Sequence, residues 1–285
     1  MWLGDETTVR SDVAGRFGFV PAPVGVLRHE LRDRVWLIDS WLPNSLGRLL
    51  DAGCAQGEAT RIYARRAKHA VGIEFDPDEV AAGRERNPTL ELMQASCEAI
   101  PFPDHSFDAV VCADVIEHVR DEVRALTELG RVLAPGGILI ITTPHQGWFD
   151  LLDPVNYPRR VAPTLWRLSP RLYRAIEKRT RDLAPEGRPG PAREAEHRHY
   201  RVQDIEDLLR RAGWELDKAV ERVFRGGGLP YALLSNVLYF SSLGLRRCPR
   251  LHRLVLEWGG ELGHLDYRIS WGRASFNLAM LVRRL

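Results

Sequence analysis

The sequence predicts an α/β protein with a doubly wound, seven-stranded sheet that is mostly parallel and has an antiparallel last strand. Helices are expected on both faces of the sheet, together with two mainly helical insertions. Short apolar runs alternate with stretches of helical spacing between residues 48 and 143, which is typical of buried parallel strands joined by helices. A late helix near 203–212 then precedes one strand at about 214–223 and a last strand at about 275–282.

The same pattern divides the chain into six segments. In chain order they are an N-terminal helical lid segment (1–45), a core of strands and helices (46–145), a basic insertion predicted to form a lid (146–199), a resumption of the core (200–224), a second helical insertion (225–272) and a final core strand (273–285). Helical spacing predicts the N-terminal helix from Pro23 to about Leu42, and core helices at about 57–67, 78–87 and 119–133.

Composition excludes several classes of protein. The 285 residues carry a formal net charge of +2, so no nucleic-acid partner is expected. No apolar stretch reaches the roughly 18 residues of a membrane span, and the first residues do not resemble a signal peptide, so a cytoplasmic location is predicted. Only three of the 40 basic residues are lysines, which indicates a GC-rich bacterial genome. The cysteines have neither zinc nor disulfide spacing and are expected to be reduced thiols: Cys54, Cys97, Cys112 and Cys248.

The turn after the first predicted strand is the most informative feature of the chain. An apolar run ends in Asp51, and the pattern Gly53-x-Ala55-x-Gly57 then opens a helix. Small residues here let a ligand lie against the backbone. The spacing differs from the G-x-G-x-x-G fingerprint of dinucleotide sites. It resembles the first motif of the class I (Rossmann-like) S-adenosylmethionine-dependent methyltransferases, similar to the ubiquinone/menaquinone-biosynthesis and small-molecule group, with Ala55 replacing the middle glycine.

Four further motifs resemble this family in the same order. A second strand ends in Glu74, which the resemblance assigns to the ribose hydroxyls, while Phe75 either flanks the adenine or packs in the core. The segment 92–102 is similar to the strand-three motif but has Ser96 where the family has an aspartate that contacts the adenine. The segment 106–119 carries Phe-Asp and Glu-His, and 133–145 carries Pro-Gly-Gly before a buried strand.

The resemblance implies S-adenosyl-L-methionine as the cofactor and S-adenosyl-L-homocysteine as its product. The positions that match the motifs are predicted to bind it: Asp51, Gly53, Cys54, Ala55, Gly57, Glu74, Phe75, Ser96, Cys97, Glu98, Ala113, Asp114 and His118. Cys97 is expected to act through its backbone N–H beside the adenine.

Methyl transfer by direct in-line displacement depends mainly on alignment, which supplies roughly 7–11 kcal/mol of a barrier. A hydroxyl acceptor also needs a base, which contributes about 10²–10⁴-fold. The candidates are His118, which alternatively orders the loop, the comparable His145, and His199, whose segment either closes over the site or packs on the core as the entry to the late helix. Asp114-x-x-Glu117-His118 also resembles a metal site of ubiquinone-biosynthesis O-methyltransferases, but relatives without a metal share the pattern, and no metal is predicted.

Both insertions combine basic and apolar residues. The segment 159–181 carries eight basic residues and one acid, and 229–247 is apolar before a basic pair. Such patterns are typical of interfacial helices on anionic lipid and equally of a lid helix with a solvated face. The partners predicted are therefore a small-molecule or lipid-linked acceptor, with peripheral membrane contact through these segments.

The sequence thus predicts a methyltransferase that acts on a small molecule, with oxygen as the preferred acceptor atom. Three alternatives stay open: methylation of nitrogen, a non-catalytic cofactor-binding module of the same fold, and a nicotinamide-dependent oxidoreductase.

Overall fold

A computed structural model describes residues 33–148, 167–171, 198–226 and 269–285. In these ranges the chain forms one seven-stranded sheet, with helices between the strands. The elements are α1 (Asp33–Trp41), β1 (Leu46–Ala52), α2 (Glu58–Tyr63) with a 3-10 turn (Ala64–Arg66), β2 (Ala67–Glu74), α3 (Pro77–Arg86), β3 (Glu91–Gln94), β4 (Phe107–Ala113), α4 (Glu122–Val132), β5 (Leu133–Pro144), α5 (Val202–Arg211), α6 (Leu216–Ala219), β6 (Val220–Gly226), a 3-10 turn (Gly272–Ala274) and β7 (Asn277–Arg283).

The sheet has the order β3-β2-β1-β4-β5-β7-β6 and confirms the predicted fold. Its strands pair in parallel from β3 to β5, whereas β7 is antiparallel to both β5 and β6. The order reverses at β1 and β4, because β2 and β3 extend the sheet to one side and β5 begins the other. In open α/β sheets ligands bind at such a reversal, outside the carboxyl ends of the strands.

Alternate residues of each strand bury opposite faces of the sheet. Leu49 packs with α1 and α2 residues such as Ile38 and Ile62. Its neighbour Leu50 belongs to a larger cluster that includes Leu126 of α4. Side chains that alternate along a strand explain why successive apolar residues support two separate layers of helices.

Two predicted elements differ from the structure near the end of the core. The strand expected at 214–223 begins only at Val220, because Trp214 packs beneath α4 instead and its Nε1 donates to the carbonyl of Leu126 at 3.3 Å. The strand then continues to Gly226, beyond the predicted end of this core segment. The last strand is Asn277–Arg283 rather than 275–282.

Capping explains a third difference. The helix predicted from residue 119 begins at Glu122, because the Asp121 side chain accepts a hydrogen bond from the backbone N–H of Arg124 and caps the helix there.

The Pro-Gly-Gly segment lies within β5, where the pairing to β4 shifts register, and Gly136 adopts a φ of 74°.

Several predictions fall outside the described residues. Residues 1–32 and most of the two insertions belong to this group, including nearly all of 159–181 and the whole of 229–247. Of the basic segment, residues 167–171 are described, and Leu168 is exposed. Among the described residues, no helix has the length and apolar character needed to cross a bilayer.

Candidate functional site

The candidate site lies along the edge of the sheet where the five parallel strands end. Loops follow Ala52, Glu74, Gln94, Ala113 and Pro144 at this edge. Strand β7 runs the other way, so its first residues lie at the same edge, next to the end of β5. All the sequence-predicted site residues occupy these loops or the adjoining strand ends, with the late segment around residue 199 beside them.

The glycine-rich turn after β1 uses left-handed backbone at three positions. The φ angles of Gly53, Ala55 and Gly57 are 84°, 45° and 79°. A Cβ at Gly53 would lie 2.2 Å from Cγ2 of Val115, so the turn and the loop after β4 are in direct contact. Alanine tolerates left-handed backbone less well than the family's glycine, which makes Ala55 a locally strained substitution.

Asp51, near the end of β1, links the strand to α2, the helix that follows this turn. Its side chain is buried, and Oδ2 accepts a 2.6 Å hydrogen bond from Oγ1 of Thr60 at the start of α2. Burial raises the pKa of Asp51 to about 6, with Glu74 adding to the rise and Thr60 opposing it. The sequence predicts Asp51 as a cofactor ligand, but the structure gives its carboxyl group an internal partner.

Glu74 lies at the end of β2 and faces the turn. Its Oε2 accepts from the backbone N–H of Ala55 at 3.0 Å, and Oε1 accepts from Phe75 and Asp76 at 2.8 and 3.0 Å. The carboxylate is only half-buried, and a carboxylate offers about four acceptor positions. Phe75 beside it is 53% exposed, which excludes the core-packing alternative for its ring.

The loop after β3 contains the buried thiol of Cys97 and a carboxylate, Glu98, that hydrogen-bonds to another loop. Ser96 Oγ accepts from the backbone N–H of Glu98 at 3.1 Å, which leaves the hydroxyl proton to donate. Burial raises the pKa of the Cys97 thiol to about 12, and it raises that of Cys54 further. The carboxylate of Glu98 accepts from the N–H of Arg120 at 2.9 Å, so it fastens the loop after β4 rather than facing the turn.

Asp114 follows β4 with a φ of 53°, which is unusual for a residue other than glycine. Its Oδ1 accepts from Oγ1 of Thr142 at 2.8 Å, and its Oδ2 lies 3.0 Å from Nη1 of Arg34 on α1. Sequence reasoning missed both partners. They lie 28 and 80 residues away in the chain, and no local pattern marks them.

Glu117 is a fully buried carboxyl group in the same loop. Its Oε2 accepts from Oγ1 of Thr143 at 3.0 Å. Burial first and then the nearby Asp114 raise the pKa of Glu117 well above its usual value. His118 follows with a side chain that is 41% exposed, and its Nε2 lies 4.0 Å from Glu117 Oε1.

The other two histidines have more enclosed surroundings. His145 is 4% exposed, and its Nδ1 lies 2.8 Å from Ser275 Oγ and 3.3 Å from Ser275 O. Burial lowers the pKa of His145. The ring of half-buried His199 packs edge-on against Phe276, with centroids 6.5 Å apart. The structure therefore gives His118 the readiest access to solvent among the three candidate bases.

The late segment before α5 fastens the loop that carries His118. Arg198 pairs with Glu122 and donates from Nη2 to the carbonyl of Val119. The Tyr200 hydroxyl donates to Glu122 at 3.3 Å and lies 3.5 Å from the carbonyl of Ile116. The end of the first insertion is thus tied to the post-β4 loop. In the described part of the chain, no group of three His, Cys, Asp or Glu residues is arranged to hold a metal ion.

Comparison with known proteins agrees with this geometry. Residues 50–141 match a family described as a methyltransferase domain. The resemblance to S-adenosylmethionine-dependent methyltransferases is thereby confirmed. The match covers four of the strand-end loops, from the glycine-rich turn to the loop after β4.

Two curated relatives and one solved structure illustrate the likeness. A probable S-adenosylmethionine-dependent methyltransferase of Mycobacterium tuberculosis is 39% identical, over 36% of this chain and 37% of its own length. A ubiquinone/menaquinone biosynthesis C-methyltransferase of Geobacter sulfurreducens is 37% identical, over 54% of this chain and 64% of its own length. The crystal structure of a [4+2]-cyclase is 19% identical with a TM-score of 0.52, and covers 88% of this chain and 81% of its own.

The likeness has a defined extent. The chain spans 37% and 64% of the lengths of these two relatives. The similarity to the cyclase shows a shared fold alone.

Proposed function

We propose that the protein is an S-adenosylmethionine-dependent methyltransferase that transfers a methyl group to a small-molecule acceptor. One observation carries the proposal: the segment that matches the methyltransferase domain contains the left-handed turn, Glu74 and the loop after β4, which meet at one edge of the sheet. The domain match covers residues 50–141, and we extend it here to the activity of the whole protein.

The residues at this edge fit the cofactor. Glu74 is half-buried, and with three of its roughly four acceptor positions in use it can accept from one ribose hydroxyl, beside the exposed ring of Phe75. Ser96 retains a hydroxyl group that can hydrogen-bond to the adenine, and Ala113 and Asp114 at the end of β4 are further candidates for contact with the cofactor. When bound, S-adenosylmethionine supplies a methyl group already activated by its positively charged sulfur.

The residues of this chain would bind, orient and deprotonate. A hydroxyl acceptor is preferred because His118 is exposed at the end of β4 and can accept a proton. Its neighbour Glu117 is buried, with Oε1 4.0 Å from His118 Nε2. His145 and His199 remain candidates for contact with the acceptor. An acceptor that is lipid-linked, and contact with a membrane surface, are supported by the basic insertion sequences.

Cofactor binding is tested by isothermal titration with S-adenosylhomocysteine. The variant Glu74→Gln should weaken binding by about 10- to 100-fold, since hydrogen bonds to a charged group contribute about 1.5–3 kcal/mol. Asp78→Asn provides a matched control, because Asp78 is an exposed acid at the start of α3. Equal affinity in the wild type and Glu74→Gln would remove Glu74 from the site.

Turnover needs its own test, because a cyclase shares the fold. Purified protein is incubated with methyl-labelled S-adenosylmethionine and a bacterial extract, and the products are partitioned between organic solvent and water. Label in either phase supports transfer, and the phase identifies a lipid or a soluble acceptor. Cofactor binding without label in any product would favour the non-catalytic module.

A further inference from the structure

Beyond β5, backbone hydrogen bonds draw four chain segments into one corner of the sheet edge. The N–H of Tyr200 donates to the carbonyl of Pro144 at 2.9 Å, and that of Trp148 donates to Arg273 at 2.9 Å. The N–H of Trp271 donates to the carbonyl of Arg225, also at 2.9 Å. We call the segments 144–148, 198–201, 223–226 and 271–277 the basic corner.

The basic corner has a one-sided composition. Its four segments contain no aspartate or glutamate. Its basic residues are His145, Arg198, His199, Arg201, Arg225 and Arg273. Their surroundings differ, since Arg198 pairs with Glu122 outside the corner, while Arg201 and Arg273 are exposed and Arg225 is half-buried. The next acid in the chain, Asp204, accepts a hydrogen bond from the backbone N–H of Arg201 at 2.7 Å.

The positive charges of the corner converge on a buried ring. Burial lowers the pKa of His145, a hydrogen bond to Ser275 raises it, and three basic groups then lower it: Arg225, His199 and Arg201. All three lower the pKa of His145, and they belong to two other segments of the corner, 198–201 and 223–226. The corner is therefore a positively charged region in space as well as in sequence.

The rest of the same edge has the opposite composition. Asp51, Glu74, Asp114 and Glu117 lie at or just after the ends of β1, β2 and β4. A cofactor with a positively charged sulfur fits that acidic half. The basic corner is adjacent to it across β5, on the side where the two insertions leave and rejoin the core.

We propose that the basic corner binds an anionic group, a phosphate or a carboxylate, carried by the methyl acceptor. This inference rests on the proposed function, and it specifies the class of acceptor. Arginine is suited to this role, because its planar guanidinium donates paired hydrogen bonds to phosphate and carboxylate oxygens. Arg201 and Arg225 contact the anion.

The test measures binding of inorganic pyrophosphate to the full chain, with and without saturating S-adenosylhomocysteine. Histidine labelled with ¹⁵N reports whether the His145 and His199 signals move. The variants Arg201→Gln and Arg225→Gln should each weaken pyrophosphate binding at least about five-fold, a typical loss for one charge-assisted hydrogen bond. Arg65→Gln is the control, since Arg65 is exposed at the opposite edge, before β2.

The inference is overturned if pyrophosphate and succinate both fail to bind at about 10 mM, or if they bind equally to the wild type and both corner variants. Binding that the two variants weaken supports it. Pyrophosphate binding without sedimentation on phosphatidylglycerol vesicles identifies a soluble phosphate. Sedimentation that the same variants weaken identifies a lipid headgroup.

Calorimetry with S-adenosylhomocysteine on the same variants separates this inference from the proposed function. Both corner variants should retain wild-type affinity for S-adenosylhomocysteine. If the wild type binds pyrophosphate but not S-adenosylhomocysteine, the proposed function fails while the anion site remains.

Discussion

The acidic half of the site edge and the basic corner share one sheet but bind charge in opposite ways. In the acidic half, four carboxyl groups lie at or just after the ends of β1, β2 and β4, and all four accept hydrogen bonds from side-chain hydroxyls or backbone amides. In the basic corner, arginines and histidines lie on segments joined by backbone hydrogen bonds. Strand β5 separates the two regions, so we expect a positively charged ligand on the acidic side and a negatively charged ligand on the basic side.

The acidic half is less negative than its composition indicates. Burial raises the pKa of Asp51 to about 6 and that of Glu117 well above its usual value. Asp114 is paired with Arg34. At neutral pH the uncompensated charge therefore comes from Glu74, beside the turn, and from buried Asp51, which is ionised above about pH 6. A single accessible carboxylate beside a left-handed turn favours a ligand with one net positive charge, whereas the corner has several exposed guanidinium groups.

The largest loss of stability is expected at Gly53, where the glycine-rich turn contacts the loop after β4. Gly53→Ala places a Cβ 2.2 Å from Val115 Cγ2 at a φ of 84°. Left-handed strain of about 1–2 kcal/mol adds to about 1–3 kcal/mol of overpacking, so the free energy of unfolding should fall by about 2–5 kcal/mol. Urea denaturation measures this loss.

Gly136→Ala is the matched control for that variant. Gly136 has a similar φ of 74°, but no atom lies within 4 Å of the position that the added methyl group would occupy, so only the backbone strain remains. Equal losses of stability for the two variants would show that the contact between turn and loop contributes nothing. The anion affinity of the basic corner should not change in either folded variant.

The next effect concerns the buried charge of Asp51. Its pKa of about 6 in the folded protein lies above the ordinary aspartate value of 3.8, so the folded state binds the proton more tightly. Stability contributed by the protonated form is therefore present below about pH 4 and is lost as the pH rises toward 6. Asp51→Asn lacks this titration and can still accept from Thr60. It should exceed the wild type by about 3 kcal/mol at pH 7.5 and come within about 0.5 kcal/mol of it near pH 4.

Urea denaturation at both pH values checks this expectation, with exposed Asp78→Asn as the control for a lost charge. A stability difference that is the same at pH 4 and pH 7.5 would contradict the raised pKa of Asp51.

Local motifs predict the acidic half better than the basic corner. The positions of Gly53, Glu74 and Asp114 at strand ends follow from short patterns, because each motif combines a buried strand with the loop after it. The basic corner is assembled from four segments spread over more than 100 residues, and its hydrogen bonds join residues such as His145 and Ser275. No periodicity in the sequence specifies that pairing.

Two contacts that the sequence does not predict have a common physical cause. The sequence pattern places Trp214 in a strand, yet its ring packs under α4. The family resemblance predicts Glu98 as a cofactor contact, which stays a prediction, and the structure shows that its carboxylate accepts backbone hydrogen bonds from the loop after β4. In both cases a tertiary contact with a distant element decides the role of the side chain, and local propensity does not report such contacts.

The smallest effect tests how Arg34 moderates the acidic half. The Arg34–Asp114 pair is partly exposed, so Arg34→Gln should change the free energy of unfolding by less than about 1 kcal/mol. Removing this cation should nevertheless favour the positively charged S-adenosylmethionine over neutral S-adenosylhomocysteine. Unit charges about 10 Å apart in water interact by about 0.4 kcal/mol, which corresponds to a two-fold change in the ratio of affinities. Titration of both ligands into Arg34→Gln and Arg65→Gln measures it. A ratio shifted equally in both variants would reflect net charge alone, whereas a shift confined to Arg34→Gln would show that α1 sets the charge that the cofactor meets.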